Sequence, residues 1–352
     1  MRYLKLFLLV LLALACNSTR ALTIIPTFDS TVTNQPNAQQ IEAAYSNAIQ
    51  TLETLYTNSA SVNITVYWGS PSLGQSQTSL VGNPTYSQLV GEIKGAAKTP
   101  YASNAVASLP VSDPVTGSHV FWIPNGEAKA LGFIPNDNNE DGAVYFESDV
   151  TWTFSQTNRA VSGAYDFIAV AQHETSEVLG RSSDLGSNPS GGFIPFDLFH
   201  FSANGVRTFV PNLSGAYFSI NNGATVLKYF STSYDPQDWL NGSGPSDAYN
   251  ASLAQGQEGP LSFADLVALD ILGYQLHFTA PRVSQTRLAN GNFQLTFNSV
   301  TGLNFQVQAS TNLPSGAWTT LGAPVESPAG HYIFTDTQTS SHPTRFYRVV
   351  LE

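Results

Sequence analysis

Residues 172–181 read Gln-His-Glu-Thr-Ser-Glu-Val-Leu-Gly-Arg. His173, Glu174 and Glu177 reproduce the spacing of the zinc-hydrolase motif HExxH, with glutamate in place of its second histidine. Residues at i and i+4 of a helix share one face, so His173 and Glu177 are spaced to grip one cation while Glu174 serves as general base toward water. A charged carboxylate in the slot of a neutral imidazole lowers the positive charge of the loaded site. Such a site is a weaker Lewis acid than a three-histidine one, and manganese or calcium then competes with zinc. The motif specifies only three of its five positions and arises easily by chance. In that case Glu174, Glu177 and Arg181 are solvated charges on a surface helix and His173 is an ordinary, partly exposed histidine.

Gly180 lies seven residues after His173, the offset at which metzincin peptidases turn their helix toward a third ligand three residues further on. That third position is Ser183 here, a poor ligand, and the nearby donors are Asp184, Asp197 and His200. The sole methionine is Met1, so the methionine turn of orthodox metzincins is missing. Residues 173–181 nevertheless resemble the signature of a family of secreted bacterial metzincin-like zinc metalloproteases, HExxE followed by Val-Met/Leu-Gly-Arg. Further segments look like that family in the same order along the chain: Asp197-Leu198-Phe199, residues 217–221, Asp238-Trp239, residues 246–250 and residues 265–274. The likeness spans about residues 22–275. It implies that His173 and Glu177 bind zinc, that Glu174 acts on the water, and that a protein or peptide is the substrate. For the third ligand Asp197 is preferred, because the similar family segment keeps aspartate before Leu-Phe. His200 is chemically the better zinc ligand, and Asp184 is the other alternative.

These residues need a helix beneath them, and the 3.6-residue period supplies one over about 164–179. Phe167, Ile168, Ala171, Val178 and Leu179 gather on one side, with His173 and Glu177 opposite, facing a cleft. Gly180 suits the helix stop. Upstream, the pattern predicts helices over 38–56 and 86–97 and strands over 62–68 and 143–154. Strand and helix alternate as in an α+β metzincin-like peptidase domain, placed at residues 22–276. The strand over 144–154, which precedes the site helix, is the candidate edge strand for an extended substrate.

Residues 1–21 have the three parts of a secretory signal: Arg2 and Lys5, the apolar run 6–15, and a small-residue end at Ala21. Cleavage after Ala21 leaves a secreted chain without its one cysteine, whereas a lipid anchor at Cys16 is the alternative. Loss of Arg2, Lys5 and Arg20 takes the formal charge from −11 to −14. An acidic chain with 11% charged residues is a poor partner for phosphate backbones, which argues against nucleic acid. No stretch beyond the leader reaches the length of a membrane span.

Composition changes near Phe278-Thr279-Ala280-Pro281, and residues 280–352 carry short alternating runs separated by turn residues. They resemble a fibronectin-like β-sandwich of the kind found at the ends of secreted bacterial proteins, which implies spacing or attachment to a cell surface or polysaccharide. Within the first domain, Asp137-Asn138-Asn139-Glu140-Asp141-Gly142 opens like a calcium loop, with Asp137, Asn139 and Asp141 as ligands; position twelve is Ser148 rather than glutamate. Two functions thus follow from the sequence: a secreted zinc-dependent peptidase, or a noncatalytic extracellular binding protein that keeps the peptidase fold.

Overall fold

The computed structural model describes residues 21–352 except 71, 118, 187–191, 243–245, 314–315 and 343. Residues 1–20 of the expected leader, Cys16 among them, lie outside the described residues. The chain is a mixed α/β structure with several sheets, compatible with the α+β class.

The principal sheet begins with alternating apolar runs. In the strand Ser61–Ser70, Val62, Ile64 and Val66 are buried on one face, as the two-residue period of a half-covered strand requires. It pairs in parallel with Thr23–Phe28 on one side and Gly142–Glu147 on the other. The strand Gly74–Thr78 closes this edge antiparallel to Gly142–Glu147, with Gly74 opposite Phe146 and Ser76 opposite Val144. The edge therefore belongs to Gly74–Thr78, and the strand expected there is interior. That strand also ends at Glu147, the remainder of the expected run appearing as a separate short strand, Trp152–Thr153. Residues 148–151 break the ladder between them.

Two helices cover the buried face. Ala38–Leu55 turns Ile41, Tyr45, Ala48 and Leu52 inward. Its Tyr45 hydroxyl meets Thr175 Oγ1 of the second helix at 3.1 Å, both residues fully buried. That second helix, Phe167–Val178, begins three residues later than expected because Asp166 caps it, accepting the amide of Ala169. Asp166 is itself held by buried Arg159 at 2.7–3.0 Å and by the amide of Gly259. Phe167 packs on Phe146 of the sheet with ring centroids 4.8 Å apart. The helix is not amphipathic at a surface: every residue from Phe167 to Val178 except His173 is buried. Glu174, Glu177 and Arg181 are buried as well, so the solvated-charge alternative fails.

Gly180 ends the helix with φ +121°, and a Cβ there would meet Glu127 Oε2 at 2.9 Å. Beyond it come the 3-10 turn Pro195–Phe199, a small antiparallel sheet from His200 to Tyr229, and a loop region that returns to the helix. The helix Phe263–Leu269 and the turn through Tyr274 complete this part, and Tyr56 bridges to Leu276.

Residues 284–351 form two antiparallel sheets of four and three strands. These seven strands include Phe293–Asn298, Phe305–Ser310, His331–Asp336 and Phe346–Leu351, where alternation predicted them, and Ser284–Arg287, where it did not. The sheets dock on the preceding part through backbone. The Leu261 amide donates to the Gly302 carbonyl at 2.7 Å, the Asn304 amide to the Leu261 carbonyl at 2.8 Å, and the Phe263 amide to the Glu352 carbonyl. No helix among the described residues is long and apolar enough to cross a membrane.

Candidate metal centre

His173 is the one partly exposed residue of its helix, and both ring nitrogens are engaged. A carbonyl oxygen can only accept, so Nδ1–H donates to the Ala248 carbonyl at 3.0 Å. That leaves Nε2 facing Asp238 Oδ1 at 3.1 Å and Glu177 Oε1 at 3.4 Å. A ligand nitrogen from each of His173, and an oxygen from each of Glu177 and Asp238, lie within 4.8 Å of one another. Among the described residues these three form the only such group of histidine, cysteine and acidic side chains. A histidine fixed through its second nitrogen to a carbonyl is the usual outer support of a metal ligand. One imidazole and two carboxylates are a donor set that suits zinc or manganese. The residues therefore fit a divalent cation.

Each member is held from a different direction. Glu177 Oε2 accepts from Ser76 of the edge strand at 2.7 Å, and Oε1 accepts from Gln237 Nε2 at 2.9 Å. Asp238 comes from the loop before Trp239. Trp239 is fully buried, its indole N–H donates to Asp265 at 2.6 Å, and its amide donates to the Tyr249 carbonyl. Ala248 is fixed through its amide on the Pro260 carbonyl at 3.0 Å. Arg181 lies behind the three, fully buried, bonding Asp238 Oδ1 at 3.0 Å and Glu177 Oε1 at 3.3 Å.

The electrostatics follow from that enclosure. Burial alone would lower the His173 pKa, but the Asp238 charge and the contacts with Asp238 and Glu177 together hold the imidazole well above its ordinary value. For Glu177 burial is also opposed, here by the His173 contact and the Arg181 charge, and the pKa falls to about 2. For Glu174 the His173 and Arg181 charges oppose burial without overcoming it. Burial, then the neighbouring Glu177 charge, push its carboxyl well above the usual range. It accepts no hydrogen bond from the described residues and lies against Gly74, where a Cβ would fall 2.2 Å from Oε1. The absence of a side chain at Gly74 makes room for the Glu174 carboxyl between helix and edge strand.

His173, Glu174, Glu177 and Asp238 line one cleft of about 710 Å³, with Gly74, Gln75 and Ser76 of the edge strand along one wall and Tyr234 and Asp235 on another. Gly74–Thr78 is the end strand of its sheet, and its first three residues line this cleft.

The three residues considered for the third ligand lie elsewhere. Asp197 is fully buried, accepting from Ser183 Oγ at 2.6 Å and from the amides of Ile194 and Asp184. It caps the turn Pro195–Phe199 and, pushed up to about 7 chiefly by burial, does not join His173 and Glu177. Asp184 lies in the irregular segment after Gly180, and its amide donates to Asp197 Oδ2 at 3.3 Å. His200 stacks on Phe230 with centroids 3.6 Å apart, its Nε2 buried without a partner, and burial lowers its pKa to about 3. Asp238 takes the place expected of Asp197. The sequence offered one faint sign of it, an aspartate directly preceding a tryptophan large enough to anchor its loop.

The calcium loop gives way to a different arrangement. Lys129, its side chain fully buried, places Nζ 2.9 Å from Asp137 Oδ1 and 2.6 Å from Asp141 Oδ2. The ammonium thus holds the centre that a cation would need. Asn63 Nδ2 takes the carbonyls of Asp137 and Asn139, and the Asn139 side chain turns onto Asp137. Neither Asp137 nor Asp141 belongs to a metal-binding group among the described residues.

No family model, curated protein or solved structure matches the chain.

Proposed function

We propose that the chain is a secreted metal-dependent peptidase in which His173, Glu177 and Asp238 hold a divalent cation and Glu174 carries the proton. The observation that carries this reading is the approach of Asp238 to the His173–Glu177 pair in the cleft where Glu174 lies without a hydrogen-bond partner. A zinc or manganese ion held there supplies Lewis acidity toward a peptide carbonyl and a water. A cation's charge beside Glu174 would favour the ionised form that burial and Glu177 oppose, and the Glu174 carboxylate would then take a proton from the attacking water and return it to the leaving amine. The exposed side of the Gly74–Thr78 strand is suited to pair with an extended peptide, main chain to main chain. Three parallel strands with an antiparallel edge beside the site helix support a metzincin-like reading of the fold. Tyr249, edge-on to His173 at 6.2 Å, supplies a floor to the site in a chain without a methionine turn.

The test is elemental analysis of residues 22–352 beside H173A, D238N and E174Q, followed by peptide cleavage. The reading expects about one metal per native and E174Q chain, little in H173A and D238N, and cleavage by the native protein alone. No metal uptake by the native chain would sink it. That result would favour a noncatalytic binding protein, for which the pairing of both ligand carboxylates with Arg181 is the supporting observation.

A further inference from the structure

We propose that Arg181 is the charge-balancing residue of the site, a built-in cation that offsets the glutamate in the second ligand position and sets how tightly a metal is held. The inference rests on the reading of His173, Glu177 and Asp238 as metal ligands.

Each guanidinium nitrogen of Arg181 donates within the site. Nη1 donates to Asp238 Oδ1 at 3.0 Å and to the Gln237 carbonyl at 3.2 Å. Nη2 donates to Glu177 Oε1 at 3.3 Å and to the His173 carbonyl at 3.5 Å, and Nε to Ser176 Oγ at 2.7 Å. The cation also lies 4.4 Å over the Tyr249 ring. Arg181 forms ion pairs with Glu177 and Asp238 alone among the described residues. A fully buried positive charge is thus devoted to the two anionic ligands.

The guanidinium binds the same oxygens that a metal would use. Glu177 Oε1 and Asp238 Oδ1 are the atoms nearest His173 Nε2, at 3.4 and 3.1 Å. Each accepts from Arg181 on one side and faces the imidazole on the other. Two consequences follow. The guanidinium repels a dication that shares its oxygens, which weakens the site as a cation trap. It also leaves a loaded site with one net positive charge where the ligands alone would leave none, restoring part of the acidity that Glu177 removes. Arg181 is a positioning residue that is not itself a ligand and acts through its charge and the carboxylates it holds.

The experiment is calorimetric titration of zinc and manganese chloride into residues 22–352, native, R181M and R181K, with melting curves in chelator and in excess metal. R181M is expected to bind zinc at least about tenfold tighter than the native chain, the low end for charges so close at an effective dielectric of ~20. Its metal-free form melts lower and gains more from zinc, because two buried carboxylates have lost their counter-charge. R181K keeps the charge and stays within about threefold of the native affinity. An R181M affinity equal to or weaker than native would overturn the proposal. If R181M does not fold, a tenfold tightening in R181K does the same. A native chain that takes up no metal refutes the ligand assignment itself, a result distinct from unchanged affinity in the variants.

Discussion

Replacing His200 by phenylalanine removes a buried base whose protonation folding forbids. The imidazole is 2% exposed, lies flat on Phe230 and meets the edge of Phe196 at 6.0 Å, and its Nε2 has no partner. Burial lowers its pKa from 6.5 to about 3. A base depressed in the folded state is neutral there while the unfolded chain takes up a proton. Its contribution to stability is whole above pH 6.5 and declines as pH falls toward 3. Between pH 7 and pH 5 the loss is about 2 kcal/mol by the linkage relation. Asp197 works in the opposite sense. Its carboxyl rises from 3.8 to about 7, so its contribution is whole below pH 3.8, declines as pH rises through 7, and grows by about 2 kcal/mol from pH 7 to pH 5. The two nearly cancel in the native chain, and only the difference between proteins exposes either. Urea unfolding of native and H200F chains, followed by the fluorescence of the five tryptophans, measures that difference at pH 5, 6 and 7. Any packing cost of the larger ring shifts all three values alike. The expected result is an H200F stability that improves relative to native by about 2 kcal/mol from pH 7 to pH 5. A difference independent of pH, or one that moves the other way, would refute the assignment of His200 as a buried neutral base.

Four further outcomes are expected. D197N should leave zinc affinity within about threefold of native while D238N lowers it more than about a hundredfold, beyond the usual range for outer-shell partners; isothermal titration decides between the two aspartates. G74A drives a methyl group into the Glu174 carboxyl and Val170 Cγ1, and should cut peptide cleavage at least about tenfold with metal content unchanged, as expected when a catalytic group is misplaced by ~1 Å. K129M leaves Asp141 buried without its counter-charge and should cost about 3–5 kcal/mol in urea unfolding. W239F removes the donor to Asp265 and opens space beside Phe218 and Phe230. It should cost about 2–4 kcal/mol and weaken zinc binding by loosening Asp238, a combination that titration and unfolding together report.

Periodic features of the chain were legible, and convergent ones were not. The helix Ala38–Leu55 and the strand Ser61–Ser70 repeat apolar residues at their own periods, and both lie within two residues of where that pattern puts them. His173, Glu174 and Glu177 were legible for the same reason, since one turn of helix fixes their relation. The edge strand Gly74–Thr78 reads Gly-Gln-Ser-Gln-Thr, without an apolar face, because it borders a cleft instead of covering a core. Asp238 was hidden differently. It is brought in by a loop with no periodicity, held by Trp239 and by backbone bonds to Ser231 and Tyr249 that local sequence does not encode. Arg181 was visible as a residue, but its environment reversed its meaning. At the end of a helix it looked solvated, whereas it is fully buried with Gln237, Asp238 and Tyr249 against it. The calcium loop misled for a similar reason, since Lys129 precedes it and reaches its centre only in the folded chain.

The distance along the chain between Arg181 and Asp238, 57 residues, determines when the site can exist. The helix by itself presents a histidine and two glutamates with nothing to fix their orientation. Asp238 and the Ala248 carbonyl arrive only after the segment up to Pro260 has packed behind Trp239. A ribosome-bound or unfolded chain therefore carries the motif without the assembled centre. Under the peptidase reading, such a polypeptide gains its cleaving centre only as residues 181 and 238 are brought together by folding.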